Sequence, residues 1–237
     1  MDGSFGPQGP LRGPVPAMRI FDGLPERDRE RLACMAHRRG VPAGTRLVTS
    51  PGASPCVYLI RRGFVKAMQD SEAGDEVILA ILGPGDLLGD IGLGERGPRA
   101  ESVLAIEPLE LIVFGQQAFL ECAATMPALS LNLLAHYTAR LTMASDRIES
   151  LATSDVEARL KRVLLDLAHA FGESADGGCR LPFRLTQVDL AAMIGASRVR
   201  VNQTLGELRR AGEVSVEDGQ FTIRDPSLLP GLYRQPY

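Results

Sequence analysis

Residues 185–212 read LTQVDLAAMIGASRVRVNQTLGELRRAG. On a helical wheel started at Arg198, the residues Val201, Thr204, Leu205 and Leu208 fall on one arc. Arg198, Val199, Asn202, Gln203 and Gly206 fall on the other. The outer arc therefore offers a guanidinium and two carboxamides, the groups that pair with base edges in a DNA major groove. Arg198 stands in the first turn, where a recognition helix makes its base contacts. Arg200 lies at the edge of the arc, suited to a phosphate, and Arg209 and Arg210 add positive charge at the helix end. The same side chains would suit an ordinary solvated face, so the case rests on the elements that hold them.

Thr186 can cap a first short helix, with Asp189 at its third position. Leu190, Ala191 and Ile194 supply the apolar side of that helix. Gly195 is a natural helix stop, because it accepts φ > 0 without strain. Ser197 then caps the helix with the two arcs. Next comes EVSVEDGQFTIRD, in which Val214, Val216, Phe221 and Ile223 alternate about Asp218-Gly219. Such a pair between alternating apolar residues signals a β-hairpin. Helix, turn, helix and hairpin make a winged helix-turn-helix, expected over residues 154–237.

Upstream, residues 125–152 contain no Gly, and Pro only at 127, where a helix start tolerates it. Leu131, Leu134, Thr138, Leu141, Ser145, Ile148 and Ala152 step by three and four. A second stripe, Leu133, Tyr137, Leu141, Ala144, Ile148 and Leu151, lies beside it. One stripe can cover a neighbouring domain. The other is left for a partner, for which the same helix of a second copy is the obvious choice. A dimerisation helix is therefore expected over 125–153. The segment SDVE at 154–157 reads as a capping box opening another helix, with Val156, Leu160, Val163, Leu164 and Leu167 inward. GESADGGCR, after Gly172, reads as a polar loop.

Residues 45–114 are short β-rich runs between turn clusters: RLVTS, CVYLIRRGFVKAM, EVILAIL, DLLGDIG, AESVLAI and LELIVF. That spacing predicts a small antiparallel roll or barrel. Residues 19–39 read as a helical lead-in, placing a sensor domain at 18–124. The Gly- and Pro-rich residues 1–17 read as a mobile, disordered tail rather than a signal peptide. The fold class is thus α+β: a β-roll, a long helix and a winged helix-turn-helix.

The formal net charge of -3 rules out a globally basic nucleic-acid binder. Residues 156–237 nonetheless hold 11 Lys/Arg against 10 Asp/Glu, and the first 155 hold 15 against 19, so any DNA footprint belongs to the C-terminal part. Cys34, Cys56, Cys122 and Cys179 are scattered without a CxxC pair, which argues against zinc and against a disulfide framework. No run is long and apolar enough for a membrane span, so a cytoplasmic location is expected. P-loop, GxSxG and HExxH patterns are absent, and the glycines at 89, 92 and 94 lack a βαβ context, which argues against an enzyme.

From about Ile20 to Arg224 the chain resembles the cyclic-AMP receptor protein/FNR (CRP/FNR) family of bacterial transcription regulators. IFDGLPERDRERL, YLIRRGFVKA, ILAILGPGDLLGDIGL, the helix at 127–152 and LTQVDLAAMIGASRVRVNQTLGEL carry the resemblance in order. It implies a cyclic-nucleotide-binding-type β-roll, a homodimer and binding to a pseudo-palindromic duplex in successive major grooves. It also implies RNA polymerase as a partner. The DNA contacts it implies are Thr186, Ser197, Arg198, Val199, Arg200, Asn202 and Gln203. Arg198 matches an Arg that reads guanine. Val199 stands where Glu is usual and Gln203 where Arg is usual, so a different half-site is expected. Thr186 matches a phosphate contact, and Thr204 replaces a usual core aliphatic.

The resemblance also implies an effector pocket in GDIGLGERGPRAES, residues 89–102, with Gly89, Asp90, Arg99, Ala100 and, from the long helix, Ser145. Arg99 would hold the phosphate. Asp90 replaces a ribose-binding Glu, Ala100 a hydroxyl residue, and Ala144 a Thr. Two lost hydroxyls would cost about 1–3 kcal/mol each. Cyclic AMP, another small ligand and effector-independent activity all remain open. An iron–sulfur branch lacks its N-terminal cysteines, and no haem ligand pair is evident. A winged-helix protein-interaction regulator without DNA binding is the alternative of a different class.

Overall fold

The computed structural model describes residues 9–11, 13, 15–48, 56–70, 76–89 and 102–224. The chain divides into two compact units, residues 1–69 with 81–140 and residues 70–80 with 141–237. The division runs through the long helix, whereas sequence places domain limits at 124 and 153.

The first unit opens with a 3-10 turn, Arg19–Phe21, and helix α1, Glu26–Met35. Strands β1 (His37–Val41), β2 (Arg46–Val48), β3 (Cys56–Arg62), β4 (Val65–Asp70), β5 (Glu76–Leu82), β6 (Leu87–Leu88), β7 (Ser102–Ala105) and β8 (Leu109–Gly115) follow, although residues 76–80 of β5 group with the second unit. They form two four-stranded sheets in the orders β1-β8-β3-β6 and β2-β7-β4-β5. Alternation builds the inner faces: Val57 and Leu59 on β3 and Ile112 and Phe114 on β8 are buried. They meet Phe21, Leu32 of α1 and Phe119 of α2 (Gln116–Thr125). Phe114 stacks edge-on to Phe21 at 6.4 Å and tilted against Phe119 at 5.3 Å. Each such buried side chain contributes about 1.5–3 kcal/mol.

Three expectations change here. The lead-in helix stops at Met35, and His37–Val41 is instead the edge strand β1, paired antiparallel with β8 from His37↔Val113 to Val41↔Leu109. Its exposed polar residues hide it, because its stability comes from backbone pairing. Helix α2 fills a segment to which sequence assigns no element. Residues 9–17, read as part of a tail, are tied down where described: Gly9 accepts from Arg38 N–H, Leu11 N–H donates to Ala36, and Val15 is buried in the core.

Met126, extended before Pro127, breaks the chain between α2 and α3 (Pro127–Thr153). The two helices bend by 110° there. Leu129 and Leu133 of α3 are buried in the roll's core, and Asn132 donates to the carbonyls of Ile20 and Asp22. The other stripe stays open: Leu131, Leu134, Leu141 and Ile148 are each more than half exposed.

In the second unit, α4 (Val156–Phe171) is capped by Asp155, which accepts from Ala158 N–H at 2.9 Å. The cap is thus one residue later than the SDVE pattern suggests. Leu160, Leu164, Leu165, Leu167 and Ala168 are its buried face, while Val156 and Val163 are only partly covered. The segment read as a polar loop is a hairpin, β9 (Glu173–Ala175) and β10 (Gly178–Arg184), turning at Asp176-Gly177. Helices α5 (Gln187–Ile194) and α6 (Arg198–Arg210) follow, then β11 (Val214–Glu217) and β12 (Gln220–Ile223). The wing sheet has the order β11-β12-β10-β9.

Candidate nucleic-acid interface

Thr186 caps α5 with a complete capping box. Its Oγ1 accepts from Asp189 N–H at 3.1 Å, and Asp189 Oδ2 accepts from Thr186 N–H at 2.8 Å. Gly195 ends α5 at φ 61° and ψ 48°, the left-handed region that side chains disfavour. Ser197 opens α6, its Oγ accepting from Arg200 N–H at 3.2 Å. Both capping hydroxyls use an acceptor lone pair in this way, and each O–H can still donate outward.

The two arcs of α6 separate as its sequence predicts. Val201, Thr204, Leu205 and Leu208 are buried, while Arg198, Val199, Arg200, Asn202 and Gln203 are exposed. Val199 is 68% exposed. Thr204, odd for a core position, is 3% exposed, and its hydroxyl donates to Arg200 O at 3.1 Å. The back-bond satisfies the polar group, so the position behaves as an aliphatic one.

Sequence reading misses Gln187. Its Nε2 donates to Asn202 Oδ1 at 3.0 Å, linking the first turn of α5 to the outer face of α6. An exposed Gln at a helix start carries no pattern of its own, and only the fold brings it to Asn202. Sequence also gives no sign of Arg159 on α4, which donates to Ile194 O at 2.9 Å at the end of α5. Below the helices, Val214, Phe221 and Ile223 of the wing are buried, and Asp218-Gly219 makes the turn.

Of the expected effector residues, Asp90, Arg99 and Ala100 lie outside the described residues. Gly89 is described, at φ 94°, and a Cβ there would stand 2.5 Å from Cys56 O. Only glycine fits so close to that strand. At the far end of the same segment, Ser102 Oγ is buried and has no hydrogen-bond partner among the described residues. Just before it in the chain, Asp86 accepts from Gly83 N–H at 2.8 Å, and burial raises its carboxyl above the usual range. Ser145 is exposed on α3 and donates to Leu141 O at 3.0 Å.

Residues 38–126 match the cyclic nucleotide-binding domain family, and residues 158–231 match the Crp-like helix-turn-helix domain. A CRP-like cAMP-activated global transcriptional regulator of Mycobacterium tuberculosis is 31% identical over 173 residues, covering 73% of this chain and 77% of that protein. The chain belongs to the CRP/FNR family of transcription regulators. A global nitrogen regulator of Synechocystis is 32% identical over 175 residues, covering 73% of this chain and 78% of that one. Among solved structures, the c-di-GMP responsive global regulator CLP of Xanthomonas campestris superimposes with a TM-score of 0.68 at 23% identity, covering 84% and 98% of the two chains. At that identity the likeness is one of fold. The CRP/FNR assignment makes this chain a regulator and not an enzyme. It leaves the effector open, since the relatives' names point to different signals. Among the described residues, no single helix is long and apolar enough to cross a membrane.

Proposed function

We propose that the protein is a homodimeric, sequence-specific DNA-binding transcription regulator that reads its site with α6. The observation that carries this is the exposed run Arg198, Val199, Asn202 and Gln203 on a helix whose opposite arc is buried. Arg198 would pair with guanine O6 and N7, and Val199 would lie against a thymine methyl. The hydroxyls of Thr186 and Ser197 and the guanidinium of Arg200 would meet phosphates, helped by the positive N-terminal ends of α5 and α6. The exposed stripe of α3 supports pairing with the same helix of a second copy. Leu134, Leu141 and Ile148 repeat every seven residues, and burying them against one another removes apolar surface from water. RNA polymerase is the partner the family membership points to.

The roll would take a cyclic nucleotide, with cyclic AMP the first to test. Gly89 would allow a phosphate close to the backbone, Arg99 would supply its countercharge, and Asp90 would bind the ribose. The orphaned Ser102 hydroxyl marks a buried polar demand at the end of the segment. Ser145 would offer the remaining base contact. One observation favours a second reading, regulation without an effector: Ser145 already bonds Leu141 O, and Ala144 beside it has no hydroxyl.

Selecting duplexes from a random pool, followed by titration with and without cyclic AMP, tests the proposal. A two-fold site, steep weakening of binding with salt and tighter binding with cyclic AMP are expected. Enrichment without a nucleotide response supports the second reading. No enrichment at all overturns DNA recognition in favour of a protein-interaction role.

A further inference from the structure

Residues 70–80 belong to the same compact unit as 141–237. Arg147, on α3, is bonded to both parts of it. Its guanidinium donates to the carbonyls of Ile78, at 2.7 Å, and Leu79 on β5. It also donates to the carbonyl of Met193, in the last turn of α5. The last carbonyls of a helix have no partner within it. A planar fork of five N–H donors on separate nitrogens can serve such a carbonyl and a strand's carbonyls together, whereas an ammonium's three donors all leave from one nitrogen. Arg147 is half-buried, and Asp166 of α4 is the acidic group that offsets its charge. Arg159 holds the neighbouring carbonyl, Ile194 O, from within the winged helix itself. The end of α5, immediately before the turn into α6, is therefore held by two arginines. Only Arg147 also holds β5.

We propose that Arg147 is a positioning residue that couples β5 to the recognition helix by fixing the end of α5 and the turn at 195–197. This rests on the reading of α6 as the DNA-binding helix. A shift of β5 is carried through one guanidinium to Met193 O and so to the aim of Arg198. The winged helix keeps its own core of Leu160, Leu164, Leu190, Leu205 and Phe221, so losing Arg147 uncouples it without unfolding it.

Hydrogen exchange of the full chain, without DNA or nucleotide, tests the coupling. Arg147→Ala should speed exchange about tenfold at both 76–80 and 191–197, the effect of losing charge-assisted hydrogen bonds. Arg147→Met keeps the aliphatic stem and its packing, and it carries the same expectation should the alanine variant not fold. Arg159→Ala should speed exchange at 191–197 and leave 76–80 unchanged. Faster exchange in an Arg147 variant at only one of the two segments, or at neither, overturns the proposal. In the DNA titration, Arg147→Met should flatten the wild-type response to cyclic AMP, and an undiminished response also overturns it. A wild type that ignores cyclic AMP, or DNA, refutes the earlier reading of effector or site, and the exchange result then decides the coupling on its own.

Discussion

Gln187 Nε2 and Asn202 Oδ1 are 3.0 Å apart, so the Asn202 oxygen on the exposed face of α6 already accepts one hydrogen bond. A bidentate Asn–adenine contact needs both the oxygen and the nitrogen. With one lone pair of that oxygen taken, the proposed contact would present the Asn202 amide N–H groups more freely than its oxygen, favouring guanine O6 or N7, thymine O4 or a phosphate. Gln187→Ala releases it. The expected result is a changed preference at one base pair per half-site, worth about 1 kcal/mol, in duplex selection. An identical selected site would mean that the pair does not orient Asn202.

Gly195 serves the turn into α6 through its backbone conformation and not through close packing of its own. A Cβ at Gly195 meets nothing closer than Leu151 Cδ2 at 3.6 Å, so Gly195→Ala costs only the left-handed conformation, about 1–2 kcal/mol. Thr186→Ala removes half of the capping box and should cost about 1 kcal/mol. Urea unfolding monitored on the winged helix checks both. Equal stability of Gly195→Ala and wild type would contradict the observed φ.

Gly89 differs in kind. There the positive φ is joined by a contact of 2.5 Å between the added Cβ and Cys56 O. Gly89→Ala should destabilise the roll by about 2 kcal/mol or more, strain and overpacking adding together. Gly206→Ala, in α6 with open space around it, is the control and should be neutral or stabilising. Thermal unfolding of the two variants separates the expectations.

Leu141 and Ile148 are 68% and 69% exposed on the stripe proposed to pair with a second copy of α3. Leu141→Glu with Ile148→Glu should halve the particle mass seen by light scattering, to that of one 25.5 kDa chain, and should abolish binding to a two-half-site duplex. A mass of two chains in wild type and variant alike would contradict pairing through this stripe, and a mass of one chain in both would contradict the dimer.

Sequence makes the helix-turn-helix and its wing legible because every device there is local. Caps at Thr186 and Ser197, a stop at Gly195 and a turn at Asp218-Gly219 each act within a few residues. The edge strands β1 and β9 are obscured. Their side chains are mostly polar or exposed; β1 finds its backbone partners on the distant strand β8, while β9 pairs with the adjacent β10 but is too short and polar to show alternation. The Asp176-Gly177 turn carried the same signal as the wing turn, but ESA before it offers no apolar alternation. Arg147 is the least legible residue of all. Its acceptors are carbonyls 69 residues upstream and 46 downstream, and no spacing rule links a side chain to them.

The most direct measurement is the site selected from random duplexes by wild type and by Arg198→Ala. Two half-sites related by a dyad and about one helical turn, 10–10.5 base pairs, apart are expected for wild type. The variant should lose about 1–3 kcal/mol and relax its preference at a single symmetric base pair. A site without two-fold symmetry, or an unchanged preference in Arg198→Ala, would contradict recognition by paired α6 helices.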